Sequence, residues 1–155
     1  MEKINRAFLT FFYVGYFPVA PGTWASFFTG LIIFFAFKHL SIFLYLFLLL
    51  SFFILGSLGA DSITKRYEVE DPRWIVLDEV IGMMISLLPL YYNVVFNYKV
   101  FVVAFFLFRF FDILKPFPVS WADRNIKNGW GVMLDDVLAG IYSAIILYLV
   151  RGYLL

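Results

Sequence analysis

The chain contains no cysteine and one histidine, His39, in 155 residues. That removes disulfides, thiolate nucleophiles and Cys-ligated metals. It also leaves no second imidazole for a His-based metal site or a His-centred triad. Charge is scarce as well: 15% of residues are Asp, Glu, Lys or Arg, where a soluble domain carries about 25%. The net charge of +1 gives no electrostatic footprint for nucleic acid. Any catalysis must therefore run on carboxylates, Lys and Arg, hydroxyls, or a metal held by oxygen. No small-residue cleavage site follows the aromatic-rich N-terminal run, so that run is expected to be retained.

What the chain does have is apolar surface. Hydrophobic residues make up 63% of it and the mean hydropathy is +0.90, against about half apolar in a soluble domain. It reads as an all-α, polytopic membrane helix bundle, one membrane-embedded domain over residues 1–155. Residues 7–14 are too few to cross a bilayer and are expected to form an interfacial helix. The Pro-Gly stretch from Gly15 to Thr23 forbids a continuous helix, and Thr23 is the expected N-cap of the next one. Spans are expected over residues 24–37, 42–60, 72–90, 100–111 and 132–150. The first is short of the roughly 20 residues a crossing needs. That gives four to five membrane helices. Lys38-His39 is a tight turn, Tyr91-Tyr92-Asn93 to Lys99 a short polar turn, Asp71-Pro72 a capped helix start, and Pro116-Phe117-Pro118 and Gly129 to Gly131 are breakers.

If the breaker loops share one side, that side holds Lys3, Arg6, Lys65, Arg66, Arg73, Lys115, Arg124 and Lys127. The other side holds Lys38, Lys99 and Arg151. Eight against three leans strongly to a cytoplasmic face for the first set. The polar motifs then converge on the cytoplasmic side.

The polar residues are concentrated. Arg109, Asp112, Lys115, Asp123, Arg124, Lys127, Asp135 and Asp136 fall within one stretch of the chain, and they are about a third of all its charged residues. Leu134-Asp135-Asp136-Val137-Leu138-Ala139 echoes Leu77-Asp78-Glu79-Val80-Ile81-Gly82. Each carries an acidic pair just inside an apolar helix. Adjacent helical residues diverge by about 100°, so one acid of each pair can face a partner helix while the other turns aside. Gly82, Ala139 and Gly140 allow two helices to approach closely. Four carboxylates together repel and favour a divalent cation, and oxygen-only ligands point to Mg²⁺ or Mn²⁺ ahead of Ca²⁺. The plainer reading is that acids at a helix start complement its dipole, but ionisable groups at membrane depth are costly and generally functional.

Arg109, Asp112 and Lys115 follow at i,i+3 steps and share one helix face. Internal salt bridges at a helix end would explain that spacing; a phosphate beside a carboxylate-bound metal would also need these cations. Thr23 opens a helix after a Gly turn, where free N–H groups can hold an anion. Asp61 pairs comfortably with Lys65 at i,i+4 and is a secondary candidate.

These residues resemble the phosphatidylglycerophosphatase A family. The matching pieces are Phe17-Pro-x-Ala-Pro-Gly-Thr-Trp-x-Ser26, Asp71-Pro72, and Val76-Leu-Asp-Glu-Val-Ile-Gly-Met83. Then come Phe108-Arg-Phe-Phe-Asp-Ile-Leu-Lys-Pro-Phe-Pro118, Trp121-x-Asp-Arg124, and Gly129-x-Gly-Val-Met-Leu-Asp-Asp-Val-x-Ala-Gly140. They occur in the family's order and cover nearly the whole chain. The intervening sequence is unusually aromatic. The resemblance implies a Mg²⁺-dependent membrane phosphatase, multi-pass in the bacterial cytoplasmic membrane. Its phospholipid substrate would be phosphatidylglycerophosphate, cleaved to phosphatidylglycerol and phosphate. Which carboxylate does what is inferred from the chemistry. Glu79, Asp135 and Asp136, with Asp78, are the expected metal ligands. Arg109, Lys115, Arg124 and Thr23 would bind the phosphate, and Lys115 would also act in catalysis. Asp112 would be general base or a further ligand. Water attack and a phosphoaspartyl intermediate are both open.

Two other classes share some of these features. A CDP-alcohol phosphotransferase needs a D-x₂-D-G-x₂-A-R run that this chain lacks. A small ion or proton transporter would place its acids deep in the spans, away from clustered Lys and Arg.

Overall fold

The computed structural model describes residues 2–36, 40–68, 72–91 and 97–153, and among them the chain is helical throughout, with no strand. Seven α-helices lie among the described residues. His39 and Lys38, Asp71 as a helix cap, and Tyr92-Asn93 as a turn lie outside the described residues.

Helix α1 (Glu2–Leu9) is amphipathic, with Leu9 buried and Ile4 exposed. It lies against α3, where Gly59 makes room for Asn5. A short 3-10 turn over Val14–Tyr16 follows. Gly15 is required there: a Cβ would sit 2.0 Å from the Trp74 carbonyl oxygen. This turn and the Val76 N–H, which donates to the Leu9 carbonyl at 3.0 Å, pin the segment leading into α4.

Helix α2 (Pro21–Ala36) starts two residues before the expected Thr23 cap. Pro21 takes the first helical position, where its missing N–H is not needed. Thr23 is therefore in the first turn and does not cap it. Helix α3 (Ile42–Tyr67) is capped by Ser41, whose side chain accepts from the Leu44 N–H. It runs past Ala60, because the polar residues there extend the helix through the Asp61–Lys65 pair at 2.6 Å.

Helix α4 (Leu77–Ser86) is only 10 residues, not the long span expected over 72–90. Pro72 does not begin it, since residues 72–75 form a separate turn in which the Ile75 N–H donates to the Pro72 carbonyl at 2.8 Å, and a 3-10 turn over Leu88–Tyr91 follows it. Every residue of α4 except Asp78 and Glu79 is buried. Helix α5 (Tyr98–Leu114) is capped by Asn97 and ends at Lys115, whose φ of 45° is left-handed, just before Pro116. Helix α6 (Val119–Asn125) was not expected, since the polar block between Pro118 and Gly129 reads locally as a loop. Helix α7 (Gly129–Val150) is capped by Asn128, which accepts from the Trp130 and Gly131 N–H groups. The expected breaker at Gly129 to Gly131 is instead its first turn. Gly129 fits because it lies against α3, where a Cβ would be 2.1 Å from the Asp61 nitrogen.

Among the described residues two helices, α3 and α7 with its short 3-10 continuation to Tyr153, are long and apolar enough to cross a bilayer. Helix α2, with 16 residues, is apolar but shorter.

The core pair is α4 against α7. As the small residues imply, the two backbones nearly touch: a Cβ on Gly140 would lie 2.5 Å from the Gly82 carbonyl oxygen, and one on Gly82 would lie 2.8 Å from that of Asp136. Ala139 is fully buried beside them. The Tyr45 hydroxyl donates to the Met84 carbonyl at 2.7 Å and ties α3 to the same pair. Gly140→Leu is expected to destabilise the protein by about 1–3 kcal/mol through overpacking. A lowered melting temperature in detergent would show it, and an unchanged one would contradict this packing.

Candidate active site

The close α4–α7 contact brings carboxylates together from two helices. Asp78 and Glu79 occupy the first turn of α4, and Asp136 lies two turns into α7. One carboxylate oxygen from each lies within 4.8 Å of the others. Asp78 Oδ1, Glu79 Oε2 and Asp136 Oδ2 are buried with no hydrogen-bond partner among the described residues. Buried, unpaired anions at this spacing cost several kcal/mol. A hard divalent cation satisfies all three oxygens at once, so the donor set fits Mg²⁺ or Mn²⁺.

The wall over this cluster is the start of α2. Gly22 packs directly on Glu79: a Cβ there would lie 1.7 Å from Oε1 and 2.6 Å from Cδ. The Pro-Gly motif thus contributes a missing side chain, which lets one helix end close over a carboxylate.

Cations flank the cluster on two sides. Arg109 on α5 pairs with Asp112 one turn later, Nη1 to Oδ2 at 2.6 Å, and the same nitrogen is 3.9 Å from Glu79 Oε1. Asp112 in turn stands against Asp136. On the other side, Lys115 Nζ donates to Asp135 Oδ2 at 2.8 Å and to Asp123 Oδ1. Burial pulls the Lys115 ammonium downwards, but the bonds to Asp123 and Asp135 outweigh it and hold the group above the usual lysine range. It stays charged. A pocket of about 160 Å³ opens beside this pair, lined by Asp78, Asp123, Lys127 and Asp135.

A buried carboxylate cluster with a cation on each flank is suited to an anionic, phosphate-like group. The sequence pattern of the phosphatidylglycerophosphatase A family matches residues 7–151. The chain belongs to that family. It is 36% identical over 136 residues to the phosphatidylglycerophosphatase A of Haemophilus influenzae, covering 88% of this chain and 82% of that one. With the Escherichia coli K12 protein of the same name it shares 35% identity over 133 residues, 86% of this chain and 75% of that one. A Bacteroides thetaiotaomicron protein, provisionally described as a phosphatidylinositol-3-phosphatase, is 36% identical over 140 residues, 88% of this chain and 87% of that one. No solved structure matches the chain.

Every residue of this cluster falls within the part of the chain that the phosphatidylglycerophosphatase A pattern covers. Of the four expected metal-binding acids, three converge, and Asp135 turns to Lys115. Arg109 and Asp112 share a face of α5 as their spacing implies. Lys115 leaves that face because the helix ends at Leu114. Arg124 is exposed in the last turn of α6 and makes no ion pair among the described residues. Thr23 shares a groove wall with Arg109. Asp61 stays with Lys65. Two contributors were missed from sequence: Asp123, whose only signal was its place beside Arg124 in the polar block, and Gly22, which was read as a turn residue.

Proposed function

We propose that the chain is a Mg²⁺-dependent membrane phosphatase that hydrolyses the terminal phosphate of phosphatidylglycerophosphate, giving phosphatidylglycerol and phosphate. The observation that carries this reading is the convergence of Asp78, Glu79 and Asp136, each with one buried oxygen that no hydrogen bond satisfies among the described residues, between Arg109 and Lys115. Family membership supplies the substrate class.

Asp78, Glu79 and Asp136 would hold the cation, which when bound supplies Lewis-acid polarisation of the phosphoryl group and of the attacking water. The chain's own residues do the rest. Arg109 offers a planar fork to the phosphoryl oxygens, and Asp112 fixes that fork in place through the 2.6 Å pair. Lys115 balances the charge spread over those oxygens, held on station by Asp123 and Asp135. Thr23 lines the groove that reaches Arg109, and the exposed Arg124 is assigned to the phosphate by its charge alone. Asp112, beside Asp136, accepts the proton of the attacking water. The water's oxygen bonds to phosphorus, the bond from phosphorus to the glycerol oxygen breaks, that oxygen takes up a proton from solvent, and Asp112 returns its own proton to solvent.

The chain is read as one membrane-embedded domain over residues 1–155, with α2, α3, α4, α5 and α7 each carrying the chain across the bacterial cytoplasmic membrane. Helix α4 is then a short element inside the bundle, and α1 lies at the interface. The starts of α2, α4 and α7 and the end of α5 carry the site, and the excess of Lys and Arg there supports a cytoplasmic orientation. A reporter fused after Arg151 is expected to score outside the cytoplasm.

Purified protein in detergent is expected to release phosphate from phosphatidylglycerophosphate, to stop in EDTA, and to recover with added Mg²⁺. No release in the presence of Mg²⁺ would remove the reading. Asp123→Asn is expected to cost about fivefold in kcat/KM, since the lost pair is partly solvated and worth roughly 1 kcal/mol. An increase in KM with kcat nearly unchanged would place Asp123 behind Lys115 in holding the phosphate.

A further inference from the structure

A groove of about 940 Å³ runs along the outer face of α5. Thr23 and Arg109 are its polar lining residues, and Val102, Phe106, Phe110 and Ile113 form much of the rest. We propose that this groove holds one acyl chain of the phospholipid whose phosphate sits at Arg109, an assignment that rests on the lipid phosphatase reading above.

Three observations carry it. First, the groove is continuous with the site. Arg109 lines it and also stands 3.9 Å from Glu79 and 2.6 Å from Asp112. A molecule lying in it therefore meets the carboxylate cluster at one point along its length, as a lipid with an anionic head and an apolar tail requires. Second, the direction is right. Helices α2 and α5 run antiparallel: Gly22 lies at Glu79 beside Arg109, while Gly30, two turns further along α2, lies against Phe101. The apolar lining from Phe106 back to Val102 thus leads away from the polar end of the bundle. Third, the length fits. Seven residues separate Val102 from Arg109, about 10 Å of helix, a large part of the roughly 15 Å that one leaflet's hydrocarbon occupies.

The occupant is distinguished from bulk bilayer lipid by the charged lining. A second apolar groove of about 370 Å³, between Leu46, Leu50, Phe53, Ile81, Ile85 and Val137, has no charged residue in its lining. It offers a head group nothing and carries no such assignment. Val102 and Phe106 are 42% and 65% exposed, so neither is committed to the protein core and both present their side chains to whatever fills the groove.

The chain position that tests the groove is Val102. Val102→Trp fills its apolar end without touching the cluster. Phosphate release is measured for long-chain phosphatidylglycerophosphate and for its dibutyryl analogue, whose chains are too short to reach that position. The ratio of kcat/KM, long over short, is expected to fall about tenfold, the loss of contact with roughly two methylene groups. Leu149→Trp, which adds the same bulk to an exposed position on α7, leaves the ratio unchanged. A ratio equal to wild type in Val102→Trp, or an equal fall in Leu149→Trp, overturns the assignment.

A second measurement reads the groove without turnover. Long-chain phosphatidylglycerophosphate with a photoactivatable diazirine in its acyl chain is expected to label the α5 segment from Val102 to Leu114, and Val102→Trp is expected to reduce that labelling. Label spread evenly over the exposed faces of α3 and α7 overturns the proposal. Labelling confined to α5 in a protein that releases no phosphate keeps the groove and removes the hydrolase reading, so the two failures are separable.

Discussion

Asp136→Asn is expected to lower phosphate release by at least about 100-fold while raising the melting temperature of the metal-free protein. The two effects share one cause. Asp136 Oδ2 is buried without a partner, beside Asp78 and Glu79, in a helix pair packed too tightly to relax. Without a cation, three carboxylates repel, and the oxygens that converge are shut off from water. Asn is nearly isosteric and removes one of those charges, so the empty protein gains on the order of 1–3 kcal/mol. With a cation, the same substitution removes one of three ligands and part of the electrostatic stabilisation that phosphoryl transfer depends on, a loss typically of ~10²–10³ in rate. The wild-type melting temperature is expected to rise on adding Mg²⁺, because the cation binds only the folded state. That rise is expected to shrink sharply in the variant. Melting curves in EDTA and in Mg²⁺ check both statements. A variant that melts lower than wild type in EDTA would mean that Asp136 is satisfied by protein groups, and the cation reading of the cluster would fail.

Gly22→Ala should separate activity from stability in a different way. A Cβ at Gly22 would lie 1.7 Å from Glu79 Oε1, so something must move. What it meets is the end of a side chain, not backbone, so Glu79 rotates away and the helices need not part. Alanine is about 1 kcal/mol better than glycine in a helix, and the fold loses little or nothing. The site loses more: Glu79 leaves both the carboxylate cluster and the neighbourhood of Arg109. A displacement of about 1 Å at a catalytic centre costs roughly 100-fold. The expected result is a protein that melts within a few degrees of wild type and turns over about 100 times more slowly. Loss of folding with Gly22→Ala would show that α2 cannot yield, and near-normal turnover would show that Glu79 is not needed where it stands.

The sequence made the chemistry legible and left much of the geometry hidden. The paired acids, the glycines opposite them and the Arg-Asp spacing on α5 are local patterns, and each sits where its pattern implies. The alternation along α7 was readable too, since adjacent residues must diverge, but nothing local says which of Asp135 and Asp136 faces α4. That choice is made by Lys115, which reaches Asp135 only because α5 ends in a left-handed residue at its C-terminus. Helix α6 was invisible for a related reason. Its seven residues mix polar with apolar, follow directly on a proline, and are too few to display a helical period. It is helical because Val119 and Ala122 are buried against the bundle. The ends of α3 and α4 were misplaced in opposite directions. Polar residues extended α3 through an ion pair, and an apolar run failed to lengthen α4 because residues 72–75 close into a turn of their own, with Val76 tied to the Leu9 carbonyl.

The shortness of α4 bears on how the protein is made. Ten residues of helix rise about 15 Å, half of a bilayer's hydrocarbon. Such a segment cannot be threaded into a membrane as a stable crossing by itself. Its glycine seam is completed only by Gly140, which the ribosome adds 58 residues after Gly82 (140 − 82). Until then α4 and its two acids wait without their partner. A nascent chain is thus unable to assemble a working centre before its last long helix has been synthesised, so an incomplete polypeptide carries no stray hydrolytic activity into the bilayer.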